Sequence, residues 1–129
     1  MGQQQLLLIL LGVILVGAAI VLALSLMSAQ SVQSNKDAII NDLNQLAAHA
    51  YQYRISSSSL AGGAGKYTGY HIPNSLTSNE NASYACGVAP DEVTLTAVSA
   101  NNSNNTVIAK IDGQGHFIAS AWTFTGDFQ

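Results

Sequence analysis

The chain is short of charge. Only four of its 129 residues are Lys or Arg, seven are Asp or Glu, and the formal net charge is -3. Charged residues make up 9% of the chain, against about a quarter in a soluble domain. Nucleic-acid binding needs clustered basic side chains, so no nucleic-acid partner is expected. Cysteine is nearly absent: Cys86 stands alone, which excludes an intrachain disulfide. Its ordinary role is that of a small buried hydrophobe, favoured over a reactive or intermolecular thiol. No Lys or Arg precedes Lys36, so the opening lacks the basic region of a cleaved secretory signal. No Gly or Pro occurs from Ala18 to Ala61, so nothing in that stretch interrupts a helix.

What is there is first of all an apolar run. Leu6 to Ala29 contains nine Leu, three Ile and three Val and no charge. As a helix its 24 residues span about 36 Å, enough for a bilayer core of about 30 Å. The Leu, Ile and Val side chains together contribute roughly -5 to -9 kcal/mol on an insertion scale. Gly12 and Gly17 are tolerated in membrane helices, and Ala19 with Ala23 makes a small-xxx-small spacing that lets helices approach.

The helical pattern then continues through "SVQSNKDAIINDLNQLAAHAYQYR". Val32, Ile39, Leu43, Leu46, Ala50 and Tyr53 recur at steps of three and four, with Lys36 in one slot of the series. The polar side chains from Asn35 to Gln45 fall mostly off this stripe. These features predict one helix from about Gln3 to about Ser56, roughly 80 Å long, apolar all round in its first half and on one side in its second.

"SSSSLAGGAG" reads as a flexible connection. Residues 66–90 look loop-rich, with a short strand at "KYTGYHI" as the one candidate. "EVTLTAVSA" sets Val93, Leu95 and Ala97 against Thr94 and Thr96; "TVIAKI" sets Val107, Ala109 and Ile111 against Thr106, Ile108 and Lys110. "NNSNN" and "DGQG" are turns, and "HFIASAWTF" is the last strand, with Phe117 on one face and Ile118, Trp122 and Phe124 on the other. The expected fold class is α+β: a long N-terminal helix packed against a small antiparallel three- to four-stranded β-meander. A meander of small side chains cannot supply a core alone. Ile39, Leu43, Leu46, Ala50 and Tyr53 are expected to complete it by helix–head packing, and the second face of the last strand needs a further cover, from "KYTGYHIP" or a neighbouring subunit. The organisation expected is a hydrophobic transmembrane or filament-core half-helix (1–30), an amphipathic half-helix (31–56), a Ser/Gly-rich linker (57–66) and a β-rich globular head (67–129).

Catalytic chemistry finds no foothold. His49, His71 and His116 are scattered without metal-ligand spacing. Asp112 in "DGQGH" has one carboxylate where a calcium loop has several. Gly62, Gly63 and Gly65 follow a helix instead of opening one, unlike a phosphate loop. Neither an enzyme nor a cofactor is expected. Asn81, Asn101 and Asn104 begin glycosylation sequons, which Asn-rich turns also produce by chance.

A fully apolar half-helix, an amphipathic half, a loop and a meander packed on that helix together resemble the type IV pilins. The likeness covers the whole chain in architecture and only the N-terminus in motif. Pilins are processed at a glycine before the apolar run and usually carry Glu at the fifth mature position. Here Gly2 precedes the run, and the fifth residue is Gln5 counted from Met1 or Leu7 counted from Gln3. The aromatic first residue and the C-terminal cysteine pair of many pilins are missing. The resemblance implies a structural subunit of an extracellular filament. It would be held by its apolar helix in the inner (cytoplasmic) membrane before assembly. It would then polymerise with copies of itself through pilus-type machinery. Assembly would use Gln3, Gln4, Gln5, Leu6, Leu7, Leu10, Ala19 and Ala23, the glutamines meeting the terminal amine or a neighbour's backbone. Two other roles fit the same pattern: a pseudopilin-like part of a secretion machine, and a signal-anchored surface module binding a ligand between the Tyr67–Pro73 loop and the sheet.

Overall fold

The computed structural model describes Gly2–Gln129. Its α+β fold has one long helix, α1 (Gly2–Ile55), and four strands, β1 (Ala82–Ala89), β2 (Glu92–Ser99), β3 (Thr106–Ile111) and β4 (Thr123–Phe124). The chain divides into two units, residues 2–33 and Ser34–Gln129.

In the second unit the sheet order is β1-β2-β3-β4, every neighbouring pair antiparallel. β2 alternates as its sequence does: Val93, Leu95, Ala97 and Ser99 are buried, and the residues between them are half-buried. β3 repeats this with Val107, Ala109 and Ile111. The part of α1 from Ser34 onward presents Ile39, Leu43, Leu46, Ala47 and Ala50, all at most 3% exposed, to this face. The i, i+3, i+4 spacing puts them on one side of the helix. Tyr53, at the end of the stripe, is half-buried, and its hydroxyl donates to the Thr68 carbonyl at 2.8 Å. Lys36, which interrupts the apolar series, places its ammonium 4.3 Å from the centre of the Phe124 ring. An aromatic face accepts a cation there, so the slot is filled without an unpaired buried charge.

Three features depart from what the sequence suggests. "KYTGYHI" forms no strand: Gly69 takes a φ of +87°, Tyr70 N–H closes a turn onto the Tyr67 carbonyl, and Tyr67 N–H donates to the Pro90 carbonyl. Its apolar groups are nevertheless core, with Tyr67, Tyr70 and Ile72 buried and the Tyr70 ring against His49 and Tyr53 of α1. The first strand lies instead at Ala82–Ala89, whose Ala, Ser and Gly have low strand propensity; its pairing to β2 across the Pro90-Asp91 turn supplies what propensity does not. The last strand is cut short. Phe117 forms an isolated bridge to Ile111 at the end of β3, a 3₁₀ turn occupies Ala119–Ala121, and Thr123–Phe124 then pair with β3 as a two-residue strand. The turn shifts the phase of the alternation, so Phe117, Trp122 and Phe124 lie together, with ring centres 4.9 and 5.8 Å apart, and not on opposite faces.

The "SSSSLAGGAG" stretch is held by hydrogen bonds. Gly63, Ala64 and Gly65 N–H groups donate to the carbonyls of Tyr53, Ser56 and Arg54, satisfying the open end of α1. A Cβ on Gly63 would lie 1.7 Å from the Lys66 carbonyl oxygen, so no larger residue fits without a shift. In "DGQG", Gly115 takes a φ of +78° while Asp112 Oδ1 accepts the Gln114 and His116 N–H groups. Those N–H groups hold the Asp112 carboxyl below its ordinary value.

Candidate assembly surface

The first unit carries a long, chemically uniform apolar surface. No part of its most apolar window is buried within the chain, and the helix is long and apolar enough to cross a membrane. Leu6, Leu7 and Leu10 are about 60% exposed (62, 66 and 58%), and Gln3, Gln4, Gln5, Ala19 and Ala23 are exposed as well. At about 100° per residue, Gly12, Ala19 and Ala23 fall within about 40° of one another. Gln5 and Gln30 bracket the same line. The residues that the sequence marks for assembly therefore share one helix, and the small ones among them share one face.

The second unit holds a polar arrangement that sequence reasoning missed. Asn35, Asp42 and His49 stand seven residues apart, along one edge of the buried stripe. Asn35 donates to the Asn81 carbonyl at 3.2 Å and accepts from Ser99 Oγ at 2.6 Å. Asp42 Oδ2 accepts from Asn79 Nδ2 at 2.8 Å, Asn81 Nδ2 at 3.2 Å and the Tyr84 hydroxyl. His49 Nδ1 lies 3.0 Å from the Tyr70 hydroxyl. Burial pushes the Asp42 carboxyl up, but the hydrogen bonds from Tyr84, Asn79 and Asn81 outweigh it and leave the group below its ordinary value. Burial, then the bond to Asp42 and its charge, raise the Tyr84 phenol well above its usual range. Burial pushes the Tyr70 phenol up to about 12. The heptad spacing of Asn35, Asp42 and His49 was the available signal. These side chains fasten the helix to Tyr84 and Ser99 of the sheet and to the loops that carry Tyr70, Asn79 and Asn81. A cleft of about 90 Å³ beside Asp42 and Tyr84 opens between α1 and the 75–79 loop.

On the other flank, Arg54 pairs with Asp91 at 3.1 Å and lies over the Tyr67 ring. Of the sequons, Asn81 has its amide engaged by Asp42, whereas Asn101 and Asn104 are exposed on the β2–β3 turn. His71 and His116 are exposed, Cys86 is a half-buried free thiol, and no three of the described His, Cys, Asp or Glu residues are grouped for a metal.

The class this geometry defines is an α+β protein with one candidate membrane-spanning helix near its N-terminus. Comparison of the chain with protein-family models, curated proteins and solved structures finds no match.

Proposed function

We propose that the chain is the structural subunit of an extracellular type IV pilus-like helical filament. It is held in the inner membrane by its apolar half-helix and then polymerises through that half-helix. The observation that carries this reading is the change of surface along one unbroken helix. Residues 6–29 expose apolar side chains all round, while the same helix from Ile39 onward buries a single stripe under its own sheet. Water cannot be the final surroundings of Leu6–Ala29. Leaving that much apolar surface wet costs about 25 cal/mol per Å². Lipid and a bundle of identical helices both remove it, and the lack of charge suits both, because an unpaired charge in either costs several kcal/mol. Gln3, Gln4 and Gln5 then sit where amides can bond an adjacent helix end or its terminal amine.

Electron microscopy of material sheared from cells expressing the chain should reveal thin fibres that contain it. Recovery of the chain only as monomers in the membrane fraction would overturn the proposal. Gln5→Leu should lower filament yield while leaving membrane insertion unchanged. Equal yield would reduce the glutamines to an interfacial cap.

A further inference from the structure

We infer that the cleft between α1 and the 75–79 loop is a binding site for a primary ammonium group, with the Asp42 carboxylate as its counter-ion. The site is built from fixed parts. Asp42 Oδ2 accepts from Asn79, Asn81 and the Tyr84 hydroxyl, which hold the carboxylate in one orientation. Asn79 is fixed in turn, since its Oδ1 accepts the N–H groups of Asn81 and Ala82. Asp42 Oδ1 takes no hydrogen bond from the described residues. No buried side-chain oxygen or nitrogen among them lacks a partner, so Oδ1 reaches solvent. Neither ion pair found among the described residues includes Asp42. A carboxylate with no cation of its own thus lines a cleft of about 90 Å³.

The donor and acceptor set selects the ligand. A guanidinium binds a carboxylate best as a two-pronged fork, one N–H to each oxygen. Oδ2 already holds three donors, so the fork has no second oxygen. An ammonium is a compact charge that needs one oxygen and turns its other N–H groups to neutral acceptors. Ser75 and Ser78 bring hydroxyls to the same cleft, and Leu46 and Leu76 supply an apolar wall for the methylenes beside an ammonium. The chain leaves one lysine for this role. Lys36 lies over Phe124, while Arg54 and Lys110 pair with Asp91 and Glu92. Lys66 is exposed, and its ammonium has no ion pair or ring contact among the described residues. It cannot reach its own Asp42. Gly63 N–H bonds the Tyr53 carbonyl and Lys66 N–H bonds the Gly63 carbonyl. Lys66 therefore sits near Tyr53, eleven residues and about 16 Å along α1 from Asp42, more than a lysine side chain spans. The occupant is then Lys66 of a second copy, a head-to-tail contact that repeats from copy to copy. It rests on the cleft and not on how the apolar half-helix is used.

The test is amide NMR of the isotopically labelled full chain in dodecyl maltoside, an uncharged detergent. n-Butylammonium chloride should move the Asn79 and Asn81 side-chain signals and the Leu76 backbone signal along a saturating curve. Half-saturation should fall at roughly 1–10 mM, as for one partly exposed ion pair. n-Butylguanidinium chloride should bind about fivefold more weakly for want of the fork. Sodium chloride at the same ionic strength should give no saturation. Asn101, on the β2–β3 turn, should stay still with all three salts. Asp42→Asn should abolish the saturating shift at Leu76. Without added amine, the same signals should move as the chain is concentrated. Lys66→Gln should remove that dependence and leave the butylammonium curve intact. If concentration moves nothing, Lys66 is not the occupant and the site takes a free amine. If butylammonium saturates no more than sodium chloride, or butylguanidinium binds equally well, the inference fails, whether or not the Asp42→Asn variant folds.

Discussion

One helix carries two kinds of surface, and its two parts are opposites. Residues 2–33 have no core of their own: leucine, isoleucine and valine face outward on every side. From Ser34 onward the same helix hides Ile39, Leu43, Leu46, Ala47 and Ala50 and fringes them with Asn35, Asp42 and His49, each bonded to the head. The difference teaches how a helix reports its neighbours. A stripe means that one partner, within the chain, covers one side. Apolar residues all round, left uncovered, mark a stretch for which the chain itself supplies no cover. Polar residues spaced seven apart beside the stripe mark where the inner partner ends.

The largest effect that would break this contrast is a cavity under the sheet. Leu43→Ala should cost roughly 2–5 kcal/mol, as for other buried leucines, a large share of the roughly 5–15 kcal/mol that holds a native domain together. Limited proteolysis of the full chain in detergent should then cut the C-terminal half readily. Retention in the membrane should be unchanged. Leu15→Ala, in the first part, should leave both the protease resistance and the retention as in the parent. If Leu43→Ala resists the protease as the parent does, the helix does not complete the head's core.

A smaller loss should follow Asp42→Ala. It strips the acceptor from Tyr84, Asn79 and Asn81 together, and an unsatisfied buried group costs about 1–3 kcal/mol. Thermal melting of the full chain in detergent, followed by near-ultraviolet circular dichroism, would read it. The same carboxylate sets a pH dependence. Its folded pKa lies below the unfolded value near 3.8, so its stabilisation is fully present above that value and is lost as pH falls through the folded one. Asp42→Asn should flatten the fall in melting temperature below about pH 4. An unchanged acid slope in that variant would assign the slope to other carboxylates.

Smaller again is Lys36→Ala, which removes the cation over Phe124 and should cost about 0.5–1 kcal/mol in the same melting experiment. Asn44→Ala, exposed beside the stripe, should stay within about 0.5 kcal/mol of the parent. A loss at Asn44 equal to that at Lys36 would blur the edge of the buried face.

Much of this was legible along the chain. The apolar run, the stripe from Ile39 to Tyr53 and the alternation of β2 and β3 are periodic and strong, and a repeating pattern survives whatever it packs against. Ala47 was the buried helix position that escaped, because alanine signals little by itself. The chain also displayed Asn35, Asp42 and His49 at heptad spacing, but spacing alone does not say what a polar line will bind.

Tertiary structure decided the rest. Ala82–Ala89 became a strand because β2 offered it a register across Pro90-Asp91, against its own weak propensity. Tyr67, Tyr70 and Ile72 became core without becoming strand, since Gly69 turned the chain back toward α1. The aromatic residues near the C-terminus were gathered on one side by a single 3₁₀ turn that reset their phase. What the sequence determined by itself was periodic: where α1 runs, which of its faces is apolar, and where that face widens to the whole circumference. What needed the third dimension was aperiodic. Pairing partners, turn geometry and the fit of Lys36 on Phe124 depend on residues far apart in the chain, and short-range propensity carries no information about which of them will meet.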